Sequence, residues 1–143
     1  MKIVLDTNVL VSGLLTPFGT SGEIVRMVSA GKLILHYDSR ILLEYQEVLY
    51  RAKFQFNKQE IDVLIDYIKK NGHVVPTSPL RKSLPDPDDA PFLEVAIGGD
   101  AEYLVTGNRV HYPRQFREGI KIVSPSEFIN FYRKRKGSTE SQL

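Results

Sequence analysis

Lys2-Ile3-Val4-Leu5-Asp6-Thr7-Asn8-Val9-Leu10-Val11 is the stretch whose reading decides the fold. Lys2–Leu5 is a short, β-branched apolar run, the pattern of a strand buried on both faces of a parallel sheet. Asp6 follows at once, before a second apolar run, Val9-Leu10-Val11. Asp6 therefore falls just past the carboxyl end of a first strand. In open α/β sheets that edge is where ligands bind. A carboxylate held there either caps a turn or serves a ligand.

Working outward, four more runs read as strands: Lys32–His36, His73–Val75, Tyr103–Val105 and Lys121–Val123. Helical patterns alternate with them. Thr20-Ser21-Gly22-Glu23 has capping-box spacing, Ile24, Val25 and Val28 follow it, and Gly31 supplies a stop. From Ser39, Ile41, Leu42, Tyr45, Val48 and Leu49 share one helical face. Asn57 and Glu60 open the next helix, with an Ile61, Leu64, Ile65, Ile68 stripe, Lys69 and Lys70 in its last turn and Gly72 at its end. A fourth helix begins around Asp88-Asp89 and runs to Gly98, and Ser124-Pro125-Ser126-Glu127 opens the last. The alternation predicts a three-layer α/β/α domain around a central five-stranded parallel sheet with right-handed crossovers. The domain spans residues 1–136. Thr77–Pro87 is a proline-rich loop, and residues 137–143 read as a disordered tail.

Bulk properties narrow the function classes. With 143 residues, 42% hydrophobic and 25% charged, the chain can bury a core without staples. It has no cysteine, which excludes disulfides and thiolate metal sites. No run is long enough for a signal peptide or a membrane span, so the expected location is the cytoplasm. The formal net charge is only +2. Its distribution is uneven, however. Arg109, Arg114, Arg117, Lys121, Arg133, Lys134, Arg135 and Lys136 face only Glu118 and Glu127 in the final quarter. That imbalance suits an anionic partner such as nucleic acid, or else a solvated helix end.

Asp6, Glu44, the Asp88-Asp89 pair and the Thr106-Gly107-Asn108 turn carry the candidate chemistry. Singly, each has a plain alternative: Asp6 and Asp88 as caps, Glu44 as a solvated acid, Asn108 as a turn residue. Together they converge. In a sheet of order 3-2-1-4-5, strands one and four diverge at the topological switch point, and Asp6 and Asn108 face one crevice. Glu44 lies about 40° from Val48 on the helical wheel, at the border of the apolar stripe. Asp88 and Asp89 open a helix that Phe92, Leu93 and Ala96 dock on the same sheet. Carboxylates gathered this way repel one another unless a cation neutralises them. Hard oxygen donors without histidine or cysteine suit Mg²⁺ or Mn²⁺.

The same residues carry a resemblance. Ile3–Ser12, Leu42–Leu49, Asp86–Leu93 and Tyr103–Asn108 are similar, in order and in spacing, to the four motifs of PIN-domain ribonucleases. The likeness runs from residue 1 to about 130 and is nearest to the compact toxins of toxin–antitoxin pairs (VapC-like). It implies the 3-2-1-4-5 order and a metal-dependent RNA hydrolase. Carried over position by position, the family's first three acids fall on Asp6, Glu44 and Asp89, which would hold Mg²⁺ or Mn²⁺. Asp88 becomes a neighbour of the site or a cap. The fourth acid aligns with Asn108, which brings a carbonyl oxygen but no charge. Thr7, Asn8, Ser12 and Thr106 match the polar residues that support the site.

Arg109, His111 and Arg114 follow the fourth motif and are candidate contacts for the RNA backbone. Single-stranded RNA suits such a groove. The resemblance also implies a homodimer and a cognate antitoxin protein. Leu43 on a polar helix side, and Leu14, Leu15 and Phe18 in a Pro/Gly-bounded loop, are candidate interface residues. Two other doubly wound classes fit less well. An aspartyl-nucleophile phosphatase needs an acid where Asn8 stands, and a receiver domain needs an Asp after strand three and a Lys after strand five. Pro76-Thr77-Ser78 and Ser124-Pro125 occupy those places. The remaining alternative is a PIN fold without catalysis, which binds RNA or protein.

Overall fold

β1 (Lys2–Leu5) is the centre of the structure, a computed structural model that describes residues 1–141 and the side chains of residues 1–137. Ile3, Val4 and Leu5 are all fully buried, because the sheet is covered on both faces. β2 (Ile34–Tyr37) and β4 (Tyr103–Val105) flank β1, with Ile3 opposite Leu35 on one side and Leu5 opposite Val105 on the other. β3 (His73–Val74) and β5 (Ile122–Val123) complete a five-stranded parallel sheet of order β3-β2-β1-β4-β5. This is the order expected from the sequence. The chain reverses direction across the sheet between β1 and β4, which makes that gap the switch point.

Six helices surround the sheet: α1 (Thr7–Leu15), α2 (Thr20–Ser29), α3 (Ser39–Leu49), α4 (Lys58–Asn71), α5 (Ala90–Gly98) and α6 (Pro125–Ser141). α5 packs on β1, β2 and β4, while α2 packs between α1 and α6. Among the described residues no helix is long and apolar enough to cross a membrane.

Three local expectations need correction. The run Val9-Leu10-Val11 is part of α1, and Leu14 and Leu15 close that helix rather than forming a loop. Thr20 and Glu23 form no capping box: Gly19 holds the cap position of α2, and Glu23 pairs instead with Arg133 of α6 at 2.9 Å. Asp38 caps α3 by accepting from the Ile41 amide at 3.0 Å, a partner more polar than the apolar stripe could reveal. The capping box at α6 does form, with Ser124 and Glu127 bonding reciprocally at 3.0 and 3.1 Å. α6 continues past Lys136, where the tail was expected, to Ser141; residues 142 and 143 lie outside the described residues.

Candidate active site at the carboxyl edge of the sheet

Asp6 sits where β1 gives way to α1. Its amide donates to the Val105 carbonyl at 3.0 Å, which continues the β1–β4 ladder and places Thr106 beside it. Asp6 occupies the N-cap position of α1, yet its side chain makes no cap hydrogen bond. The carboxylate turns across the switch point instead. Its Oδ2 accepts from Thr106 Oγ1 at 2.9 Å and from the Tyr112 hydroxyl at 3.2 Å. Capping alone therefore does not account for the Asp6 carboxylate.

Glu44 arrives from α3. It is half-buried and accepts a short hydrogen bond from Thr7 Oγ1 in the first turn of α1. That bond links α3 to the residue next to Asp6. Tyr45, the following residue, is fully buried and donates from its hydroxyl to the Leu5 carbonyl at 2.6 Å. The two bonds fix α3 against the end of β1.

Asp89 arrives from the third side. A single 3-10 turn, Pro87–Asp89, precedes α5, and Asp86 caps it by accepting from the Asp88 amide at 2.9 Å. The cap is thus Asp86 and not Asp88, which is exposed. Asp89 Oδ2 is buried and accepts no hydrogen bond; His111 Nδ1 stands 3.4 Å away, in ion-pair range but outside bonding geometry.

Asn108 lies at the start of the β4–β5 connection. Its amide donates to Thr106 Oγ1 at 3.1 Å, and its Nδ2 lies 2.8 Å from His111 Nε2. With the Asn108 amide nitrogen as donor, His111 carries its proton on Nδ1, toward Asp89. The sequence places Asn108 and His111 near the site as a possible ligand and a substrate contact. In the fold they form one bridge between the fourth motif and Asp89. Asn8 Oδ1 accepts from the Gly107 amide at 3.1 Å, which ties α1 to the same turn. Ser12 lies one turn further along α1, in a shallow hollow with Asn8, Gly107 and Asn108, away from the three acids.

The charges of the site oppose one another. Burial raises the pKa of Asp6, and hydrogen bonds from Thr106 and Tyr112 only partly offset it. Burial, with Asp6 and Asp88 adding repulsion, raises Glu44 against the lowering bond from Thr7. Asp89 is pushed up to about 6, first by burial and then by the charge of Asp6, with His111 pulling the other way. The Tyr112 phenol is raised by burial and by the neighbouring acids, so it stays protonated and donates. Three carboxylates from three separate elements thus share one field. Among the described residues no three acids or histidines are drawn close enough to chelate an ion unaided. The donor set is nonetheless what a hard divalent cation takes, with an orphaned Asp89 oxygen and mutual repulsion to relieve. Mg²⁺ commonly takes one or two carboxylates and completes its shell with water and substrate oxygens.

The basic quarter divides in the fold. Arg109 pairs with Glu127 at 3.1 Å, and Arg133 with Glu23. Arg114 is exposed, and its charge, with that of Arg109, adds to burial in lowering the Arg117 pKa. Arg109, Arg114 and Arg117 lie close together on the loop that carries Asn108 and His111. Tyr112 and Tyr45 were not legible as site residues from the sequence. Both act through contacts distant in the chain, and nothing in their local pattern distinguishes them from core aromatics.

Comparison with known proteins agrees with this fold. A family model described as PIN domain matches residues 2–110, a segment that carries all four motifs. The chain belongs to the PIN domain family. It is 24% identical over 147 residues to MJ1680, an uncharacterized protein of Methanocaldococcus jannaschii, with 94% of this chain and 93% of that protein covered. It shares its fold with a chain in the crystal structure of VapBC2 from Rickettsia felis bound to a DNA fragment from their promoter. That match has a TM-score of 0.55 and 16% identity and covers 87% of this chain and 98% of the other.

Proposed function

We propose that the protein is a metal-dependent endoribonuclease that hydrolyses RNA phosphodiesters, and that it is the toxin of a toxin–antitoxin pair. The observation that supports this reading is the electrostatic coupling of Asp6, Glu44 and Asp89, each with a raised pKa, together with a buried Asp89 oxygen that accepts no hydrogen bond. Membership of a nuclease family and the fold shared with VapBC2 support it.

Asp6, Glu44 and Asp89 would hold Mg²⁺ or Mn²⁺, with Asn108 offering a neutral oxygen beside them. Such a cation, when bound, would activate water and stabilise charge developing on the phosphate and the leaving oxygen. Thr106, Tyr112 and Thr7 orient the carboxylates by donating hydroxyl protons to them. Arg114 and Arg117, with Arg109 and His111 beside them, hold the phosphate backbone of a single strand next to the acids. Phe18, 97% exposed, and Leu43, 64% exposed, belong to surfaces for a second copy or an antitoxin. The protein acts in the cytoplasm and does not engage a membrane.

Asn108 favours a second reading. It stands where the family's fourth acid falls and already bonds His111, so the site carries one charge fewer. A binding module without turnover is the function that follows if this charge is indispensable. Cleavage of single-stranded RNA with Mn²⁺, and its loss in EDTA and in Asp6→Asn, is the expected outcome. RNA binding that survives EDTA, without any cleavage, would instead establish the binding module.

A further inference from the structure

Two hydroxyl groups converge on one oxygen of Asp6, and only one of them lies in a sequence motif. Thr106 Oγ1 accepts from the Asn108 amide at 3.1 Å, so its single proton is directed to Asp6 Oδ2 at 2.9 Å. Tyr112 is fully buried and donates to the same Oδ2 at 3.2 Å. The Tyr112 ring reaches this point because its backbone is held at both ends. Its amide donates to the Arg109 carbonyl at 3.0 Å, and its carbonyl accepts from Arg117 Nε at 2.7 Å. A phenol ordinarily loses its proton only near pH 10, so this donor persists wherever Asp6 is ionised.

We infer that Tyr112 is a positioning residue for the cation site: its hydroxyl, with that of Thr106, fixes Asp6 Oδ2 and so holds the carboxylate in one orientation. This role rests on the metal-dependent function proposed above. Groups that orient a ligand from behind typically cost 10–100-fold in metal affinity or activity when removed. Removing the Tyr112 hydroxyl takes one of the two hydroxyl donors from Asp6 Oδ2 and leaves its buried charge less compensated.

The test is an Mn²⁺ titration followed by thermal unfolding, with RNA cleavage measured in parallel, on wild type, Tyr112→Phe, Arg117→Gln and Tyr37→Phe. Tyr112→Phe keeps the ring and removes only the hydroxyl. It should raise the half-saturating Mn²⁺ concentration about tenfold. Its cleavage should fall at low Mn²⁺ and recover at high Mn²⁺. Tyr37→Phe removes a hydroxyl that bonds the Lys69 carbonyl, remote from the crevice, and should leave half-saturation unchanged. Arg117→Gln keeps the Tyr112 hydroxyl but loosens its backbone and should shift half-saturation by less than Tyr112→Phe. Half-saturation unchanged in Tyr112→Phe overturns the inference, as does an equal or larger shift in Arg117→Gln. A wild type that Mn²⁺ neither stabilises nor activates overturns the proposed function itself, and the Tyr112 role with it.

Discussion

At the scale of single residues, the acids of the crevice set its pH behaviour. The folded-state pKa of Asp89, about 6, lies above its ordinary value of 3.8. An acid raised in this way is neutral in both states at low pH. It costs the fold progressively more as pH rises from 3.8 to about 6. The Asp89 side chain is 13% exposed, and its ionised form destabilises the cation-free protein. Asp89→Asn should therefore raise the unfolding temperature measured in EDTA at pH 7.5, while it removes the further rise caused by Mg²⁺. In wild type the Mg²⁺-dependent rise should be small at pH 5 and large at pH 7.5, because the cation binds the ionised form. A rise of equal size at both pH values would show that Asp89 does not take part. Asp6 is legible as a candidate site residue from its place after an apolar run. The direction of its side chain was not, because it depends on Tyr112, whose contact with Asp6 spans 106 positions of sequence.

At the scale of elements, the sequence was clearest where patterns were local. The amphipathic stripes of α3 and α4, and the Ser124–Glu127 box of α6, were readable because each is complete within a few residues. α1 was not. Its exposed face carries only Asn8 and Ser12 before the apolar Leu15, too few polar residues to set a helical period apart from the apolar run Val9-Leu10-Val11. The α1–α2 hairpin depends on small residues. A Cβ at Gly22 would overlap the Pro17 carbonyl, and one at Gly13 would stand 2.6 Å from Val25 Cγ2. Gly22→Ala should therefore destabilise the protein by about 1–3 kcal/mol in chemical denaturation, despite the better helix propensity of alanine. Ser124→Ala removes the α6 cap and should cost about 1 kcal/mol, measured in the same way. A Gly22→Ala protein as stable as wild type would mean that α1 and α2 are less tightly apposed than described here.

At the scale of the whole molecule, the parallel sheet brings residues from three parts of the chain to one edge and sets the loop of Arg109, Arg114 and Arg117 beside them. Strand order was legible, because four motifs in sequence order restrict the topology, and the same motifs supply the three candidate acids. The partition of the basic quarter was not, since it depends on distant partners such as Glu23 and Glu102. Only part of that charge remains available to a polyanion, centred on Arg114 and Arg117. Arg114→Glu should weaken single-stranded RNA binding, and the slope of log affinity against log salt should fall by about one. The measurement that tests the central claim most directly is Mn²⁺ binding by electron paramagnetic resonance at pH 7.5. It would compare wild type with the folded Asp6→Asn/Glu44→Gln/Asp89→Asn triple variant. The account predicts saturable binding to wild type that disappears in the triple variant. Equal binding by both proteins would contradict it.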